Sequence, residues 1–467
     1  MISKPTVSGA APRLGAVPSY RSNNLSNSNC RRGAVSSCSG NRSTSHCRKI
    51  LSRSNSLEVG VLGGSISWGA ELENKFEERY SALLQTRLRP QVAARVHNLA
   101  MPATGSGYAS FCIDQIMPRD VQVLIIDFNF NDAYGNDVFG ADRDSTAQSP
   151  SLSFERLIRN ALSRPSPPWL IIVLGVCQRW LKCEQIHRAV TLHYAAQGVM
   201  SVSLNRDGVR LPMSLHHNGS HHPTRAGHAE IARLIERAIM DRSRRCHTWP
   251  RLPPPLLPMP PWEIAHARWN CKACDYTSCS HLQPIAAAGF ELTHAKGLSG
   301  GFMGKVGWTA TAPNSTVAFK VSGGQSGASF LLAMLCSYEN VGKASVRFTS
   351  RGQLEAERVL EMRWNQPASQ QCIHHVGRVG PGNHTLRVTA LSSPAEPRRG
   401  SNQVKLFGIY SQKTRSSDVL LKVPAAEEQL VAAEKKFKAA KAAFDAAVAA
   451  RDRQTDRMDA RTHRAEV

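Results

Sequence analysis

The chain has 467 residues, 42% of them hydrophobic, and a formal net charge of +23. That length exceeds one ordinary core, so two domains plus tails are expected, and the apolar content excludes global disorder. No run approaches the roughly 20 apolar residues of a membrane-spanning helix, and the basic excess forms no stripe interleaved with aromatics, which argues against a nucleic-acid partner.

Residues 1–57 hold Lys4, Arg13, Arg21, Arg31, Arg32, Arg42, Arg48, Lys49 and Arg53 and no acidic residue. This basic leader has the composition of an organelle transit peptide, with a plain disordered tail as the alternative. Sequons at Asn218, Asn314 and Asn383 would be usable in a secretory protein, so the compartment stays open.

From Glu58 short β-rich runs alternate with helical ones. Strands are expected at residues 58–62, 95–99, 121–127, 169–174 and 201–204. Helices are expected at 71–88, through Tyr108, Phe111, Ile113 and Ile116, through Phe154, Leu157, Ile158 and Leu162, at 184–197 and at 224–240. Five successive β-α units (residues 58–243) imply a parallel sheet between helices, joined by right-handed crossovers.

Residues 244–287 are expected to be a Pro-rich stiff linker and a Cys-rich loop. Residues 288–412 alternate in short runs such as Thr316 to Val321, punctuated by Gly, Ser and Asn, which predicts an antiparallel β-sandwich. Residues 425–461, rich in Ala, Glu, Lys and Arg, are expected to form a helix, in which Leu430, Phe437 and Phe444 recur every seven residues. The register fades at Arg451, so a solvated helix is favoured over one that docks on a partner.

Cys271-Lys272-Ala273-Cys274 with Cys279 and His281 resembles a zinc knuckle, but the last pair has the wrong spacing. Disulfides or buried thiols are favoured there, no metal is expected, and Cys336 and Cys372 could pair across the sandwich. Trp308, Tyr338 and Trp364 could stack sugars, although core packing is the commoner role.

Four stretches carry the chemistry: Gly63-Gly64-Ser65-Ile66-Ser67, Asn98 to Gly105, Asn129-Phe130-Asn131-Asp132 and His222-Pro223-Thr224. Each follows an expected strand or precedes an expected helix, where an open parallel sheet places its crevice. Ser65 leaves the first strand through two glycines that let the backbone turn sharply. A hydroxyl so placed attacks a carbonyl if a base takes its proton. Asn131 offers a side-chain amide, and residues 103–105 offer backbone N–H groups, to a developing oxyanion. His222, held by Pro223, suits a general base, since an ordinary imidazole titrates near pH 6.5. His216, His217, His221 and His228 lie close by, but no carboxylate or cysteine joins them at metal-binding spacing.

Together these stretches resemble the SGNH (GDSL-type) hydrolase superfamily over residues 58–243. The resemblance implies a three-layer α/β/α, flavodoxin-like domain with a five-stranded parallel sheet, a serine nucleophile at Ser65 and a base at His222. Its oxyanion group comprises Ser65, Asn131 and Ala103, with Gly105 as the fallback. Gly64 stands where the family has aspartate, and Asn129 where it usually has glycine. The family's acid lies three residues before the base, where this chain has Gly219. A backbone carbonyl is then expected to orient His222, or Asp207 from the preceding strand end. The motif around Ser65, followed by a β-rich half, is similar to a eukaryotic branch associated with cell-surface and capsular polysaccharides. That implies O-acetyl esters on glycans as substrates and no cofactor. The alternatives are a non-catalytic glycan-binding protein on a degenerate fold, and a glycan O-acyltransferase.

Overall fold

The computed structural model describes residues 56–138, 150–176, 182–204, 215–217, 220–243, 251–257, 269–274, 278–293, 306–337, 341–363, 369–392 and 403–413. Residues 1–55 of the basic leader, the helix expected at 425–461, Asp207, Tyr338 and Trp364 lie outside them, while Leu57, the last residue assigned to the leader, instead opens the first strand.

The first half runs β1 (Leu57–Gly63), α1 (Ser65–Trp68), α2 (Lys75–Glu78), α3 (Tyr80–Leu88), β2 (Ala94–Asn98), α4 (Ser106–Ile116), β3 (Val123–Asp127) and α5 (Asn129–Val138). It continues with α6 (Pro150–Leu162), β4 (Leu170–Gly175), α7 (Lys182–His193), β5 (Val199–Ser203) and α8 (Arg225–Ser243). Every strand pair in its sheet is parallel, in the order β2-β1-β3-β4-β5. The two sheet faces read off the strands with period two. Val59, Val61, Val123, Ile125, Leu170 and Ile172 pack on Tyr80, Leu84 and Leu88 of α3 and on Ile231, Ile235 and Ile239 of α8. Leu124, Ile126, Ile171 and Val173 face the other way, onto Ile113 of α4, Phe154, Leu157 and Ile158 of α6 and Val190 of α7. β3 and β4 are buried throughout because helices cover both of their faces.

The second half is a sandwich of antiparallel strands. It is built from β6 (Trp269–Ala273), β7 (Ala286–Ala288), β8 (Glu291–Thr293), β9 (Gly307–Ala310), β10 (Thr316–Gly324) and β11 (Ala328–Ser337). β12 (Lys343–Ser350), β13 (Gln353–Glu361), β14 (Ser369–Val379), β15 (Gly382–Leu391) and β16 (Val404–Lys413) complete it. One sheet has the order β13-β12-β15-β10-β7 and the other β14-β11-β16-β9-β8, with β6 on β16. Phe319, Phe330, Phe348, Leu332 and Leu386 fill the space between them. Trp308 is part of that packing and donates its indole N–H to the Leu282 carbonyl at 2.9 Å, so it has the core role.

The two halves are fused. Tyr108, Phe111 and Cys112 of α4 share an apolar cluster with Trp269, Leu331, Ile373, Phe407 and Tyr410 of the sandwich, and Cys112 is disulfide-bonded to Cys271. Cys274 pairs with Cys279, so cysteines of the knuckle-like run are spent on disulfides. Cys336 and Cys372 also pair, but between neighbouring strands β11 and β14 of one sheet, not across the sandwich.

Three other expectations are corrected. The helix expected at 71–88 starts late, because Gly69 (φ 85°) caps α1 in the left-handed region and Glu71 (φ 67°) continues the turn. Asn131, which the sequence places at the end of the third strand, lies past it in the first turn of α5. Residues 251–257 of the Pro-rich segment do not stand off as a spacer. Pro253 and Pro254 carbonyls accept from Arg159 and His193, and the Leu256 and Leu257 N–H groups donate to Glu155.

Candidate active site

In this strand order the chain leaves β1 and β3 toward opposite sides, which opens a crevice at their carboxyl ends. Two backbone ladders extend past the strands and deliver the chain to it. The Leu99 and Met101 N–H groups bond to the Val61 and Gly63 carbonyls, which lays residues 99–105 alongside β1. The Gly64 N–H bonds to the Asp127 carbonyl at 3.2 Å, which holds the Gly64–Ser65 turn against β3.

At that crevice the Ser65 Oγ–H donates to His222 Nε2 at 2.8 Å. On the far side of the ring, His222 Nδ1–H donates to Glu71 Oε1 at 2.7 Å. The Ser220 hydroxyl joins this link: it donates to Glu71 Oε1 at 2.9 Å and accepts the His222 backbone N–H at 3.1 Å. His222 owes its place to a short clasp in which the His217 N–H bonds to its carbonyl and Thr224 N–H bonds to Leu215 O. The Thr224 hydroxyl accepts the Gly227 N–H and so caps α8.

Partial burial raises the Glu71 carboxyl, but the hydrogen bonds from His222 and Ser220 and the nearby imidazoles outweigh it and hold the group below its ordinary pKa. Glu71 is therefore an ionised acceptor on a side chain that is 42% exposed, whereas His222 is 10% exposed. His221 stacks between the Phe130 ring (centroids 4.0 Å apart) and His222. Burial, reinforced by the charge of His222, pushes His221 down to about 4, so it stays neutral beside that ring.

The Asn131 carboxamide packs against Gly64, so closely that a Cβ on residue 64 would collide with it. That contact brings Asn131 next to Ser65 and explains why glycine occupies the position where the SGNH resemblance has aspartate. Ala103 adopts φ 51°, in the left-handed region. The resemblance has glycine there, and alanine meets the same backbone demand with strain. Gly105 closes the loop against the Asp132 carboxylate. Among the described residues, four non-glycine residues have positive φ, and two of them, Glu71 and Ala103, are in the α/β half. Both lie at this crevice, and such strain tends to collect at functional sites.

Beneath the Ser65 turn, the Ser67 hydroxyl donates to buried Asp127 at 2.7 Å and accepts from the Tyr80 hydroxyl at 2.6 Å. Desolvation raises Asp127 to about 6, against the opposing pull of its bonds to Ser67.

The crevice thus gathers Ser65, His222, Asn131 and the 103–105 loop. Glu71 and Ser220 were missed. Gly69, a helix-ending residue two positions before Glu71, was the signal that the helix could not begin there. Within the histidine cluster, His222 bonds to Ser65 and Glu71, and His228 Nδ1 accepts the Tyr80 N–H.

Among solved structures, the chain is similar to a two-domain esterase (CEX) active on acetylated mannans, co-crystallised with mannopentaose. The TM-score is 0.51 and the identity 17%, with 77% of this chain and 92% of that one covered. A second structure of a two-domain esterase active on acetylated mannans gives a TM-score of 0.49 and 16% identity over the same shares. The acetylxylan esterase Axe2 from Geobacillus stearothermophilus gives 0.32 and 15%, covering 39% of this chain and 94% of that one. No family model and no curated protein matches the sequence. The chain therefore shares its overall fold, a parallel α/β/α half followed by an antiparallel β-sandwich, with that first two-domain structure.

Proposed function

We propose that this protein is a serine esterase of the SGNH type that removes acyl groups, O-acetyl above all, from a glycan. The observation that carries the reading is the unbroken line from Ser65 Oγ to His222 Nε2 (2.8 Å) and from His222 Nδ1 to Glu71 Oε1 (2.7 Å). The degenerate-fold alternative rested on the missing acid, and Glu71 supplies one from a different loop.

In the proposed reaction His222 Nε2 takes the Ser65 proton as Oγ attacks the acyl carbonyl carbon. The Ser65 N–H, an N–H of the Ala103–Gly105 loop and the Asn131 carboxamide donate to the oxyanion of the tetrahedral intermediate. Glu71 keeps Nδ1 protonated and stabilises the imidazolium. As the intermediate collapses and the bond from the acyl carbon to the sugar oxygen breaks, His222 gives its proton to that oxygen, and water repeats the sequence on the acyl-enzyme. The glycan class comes by analogy from the mannan-active two-domain esterase that shares both halves. Three disulfides among the described residues fit an oxidising compartment, where an extracellular or secretory-pathway glycan would be met.

The test is p-nitrophenyl acetate hydrolysis by wild type and Ser65→Ala, followed by acetate release from acetylated mannan. Loss of both activities in the variant is expected. Equal rates would leave only glycan binding, and acetyl transfer to an added sugar outrunning hydrolysis would make the protein an acyltransferase.

A further inference from the structure

Asp132 follows Asn131 in the first turn of α5, and its carboxylate makes two buried contacts. Oδ1 accepts the Ser106 N–H at 2.9 Å, at the first residue of α4, directly after the 103–105 loop. Oδ2 accepts His187 Nε2–H from α7 at 2.8 Å. The two side chains are 5% and 1% exposed, and the His187 ring lies flat on Phe154 with centroids 3.8 Å apart. Gly105 passes so close to Oδ1 that a Cβ there would collide with it. One carboxylate therefore ties together the two segments from which the oxyanion donors would come: the helix turn bearing Asn131 and the loop bearing Ala103 and Gly105.

A buried carboxylate costs several kcal/mol unless it is fully hydrogen-bonded. Without the imidazole, Oδ2 would be left uncompensated, and Asp132 would relax by rotating away from Ser106. The donors on both sides would move with it, and displacing such a group by about an ångström is enough to forfeit much of its effect.

We infer that the Asp132–His187 pair is the positioning unit of the oxyanion site: it touches no substrate and acts through Ser106 and Asn131. This rests on the esterase reading of the Ser65 site. Neither residue belongs to the Ser65–His222–Glu71 line, and no other described side chain of α7 is part of the site.

The experiment is a double-mutant cycle of His187→Leu and Asn131→Ala on p-nitrophenyl acetate. Each kcat is expressed per active site titrated with a fluorophosphonate, and Ser65→Ala serves as the blank. His187→Leu is expected to lower kcat roughly 10- to 100-fold with KM within about twofold. His187→Gln, which restores a donor to Oδ2, should recover most of that. The double variant should fall no more than about threefold below Asn131→Ala alone, because both changes disable the same group. If His187→Leu does not fold, His187→Gln and Asp132→Asn carry the same cycle, with Asp132→Asn taking the place of the loss variant. An unchanged kcat per titrated site, or losses that multiply, would overturn the inference while leaving the esterase reading intact. A wild type with no Ser65-dependent turnover would overturn the esterase reading itself.

Discussion

Replacing Glu71 by glutamine removes one charge at the far end of the proposed proton path and changes little else. The carboxylate lies 2.7 Å from His222 Nδ1, which puts the charge centres about 4 Å apart once the imidazole is protonated. At that separation an ion pair is worth about 4 kcal/mol at an effective dielectric constant near 20, and about 1 kcal/mol in water. Glu71 is 42% exposed, so screening places it between these limits, at about 2–3 kcal/mol. If that stabilisation is realised in the transition state, kcat falls roughly 30- to 150-fold with KM little changed. The loss is smaller than the about 10⁴-fold reported for a buried triad acid, because solvent already shares the work and Ser220 still touches the ring. Steady-state kinetics on p-nitrophenyl acetate, with Glu71→Asp as a partial control, give the answer. A Glu71→Gln enzyme with wild-type kcat would show that Glu71 orients nothing.

Other outcomes follow from the same geometry. Gly64→Ala should push the Asn131 carboxamide aside and lower kcat by about 10²-fold with little change in Tm, since only the end of a short side chain must move. Gly64→Asp, which would recreate the residue of the SGNH motif, should inactivate for the same reason, and both are read by kinetics and thermal melting. Ala103→Gly should keep activity and stabilise by about 0.5–1 kcal/mol, because relief of the left-handed strain exceeds the added freedom of the unfolded chain. A loss of stability by denaturant titration would contradict that.

Asp127 makes stability depend on pH in an unusual direction. Its folded pKa, about 6, lies above the ordinary 3.8, so the native state holds a proton that the unfolded chain releases. The contribution is complete below about pH 4 and is lost as pH rises through about 6, for a total near 3 kcal/mol. Relative to wild type, Asp127→Asn should therefore gain about 3 kcal/mol between pH 4 and pH 7. A constant difference across that range would refute the assignment.

Much of this was legible in the sequence. The continuous apolar runs that became β3 and β4 announced a doubly covered parallel sheet, and Gly64-Ser65, Asn131 and His222-Pro223 each sat at an element boundary that the topology brings to one crevice. The polar residues that complete the site were not legible. Glu71 lies in a stretch whose apolar spacing mimics a helix, and its place beside His222 depends on a left-handed backbone angle that periodicity does not report. Ser220 acts through bonds to Glu71 and His222 in three dimensions. The interface between the halves was hidden for a similar reason. Tyr108 and Phe111 read as one face of an ordinary amphipathic helix, and nothing local says that α4 packs on the sandwich sheet and is bonded to Cys271.

The most direct test of the central claim is fluorophosphonate labelling of the wild type and of His222→Ala, with the adduct located by peptide mass spectrometry. One phosphonyl group on Ser65 in the wild type, and a labelling rate slowed by orders of magnitude in the variant, is the predicted result. An unlabelled Ser65, or equal labelling with and without the imidazole, would contradict it.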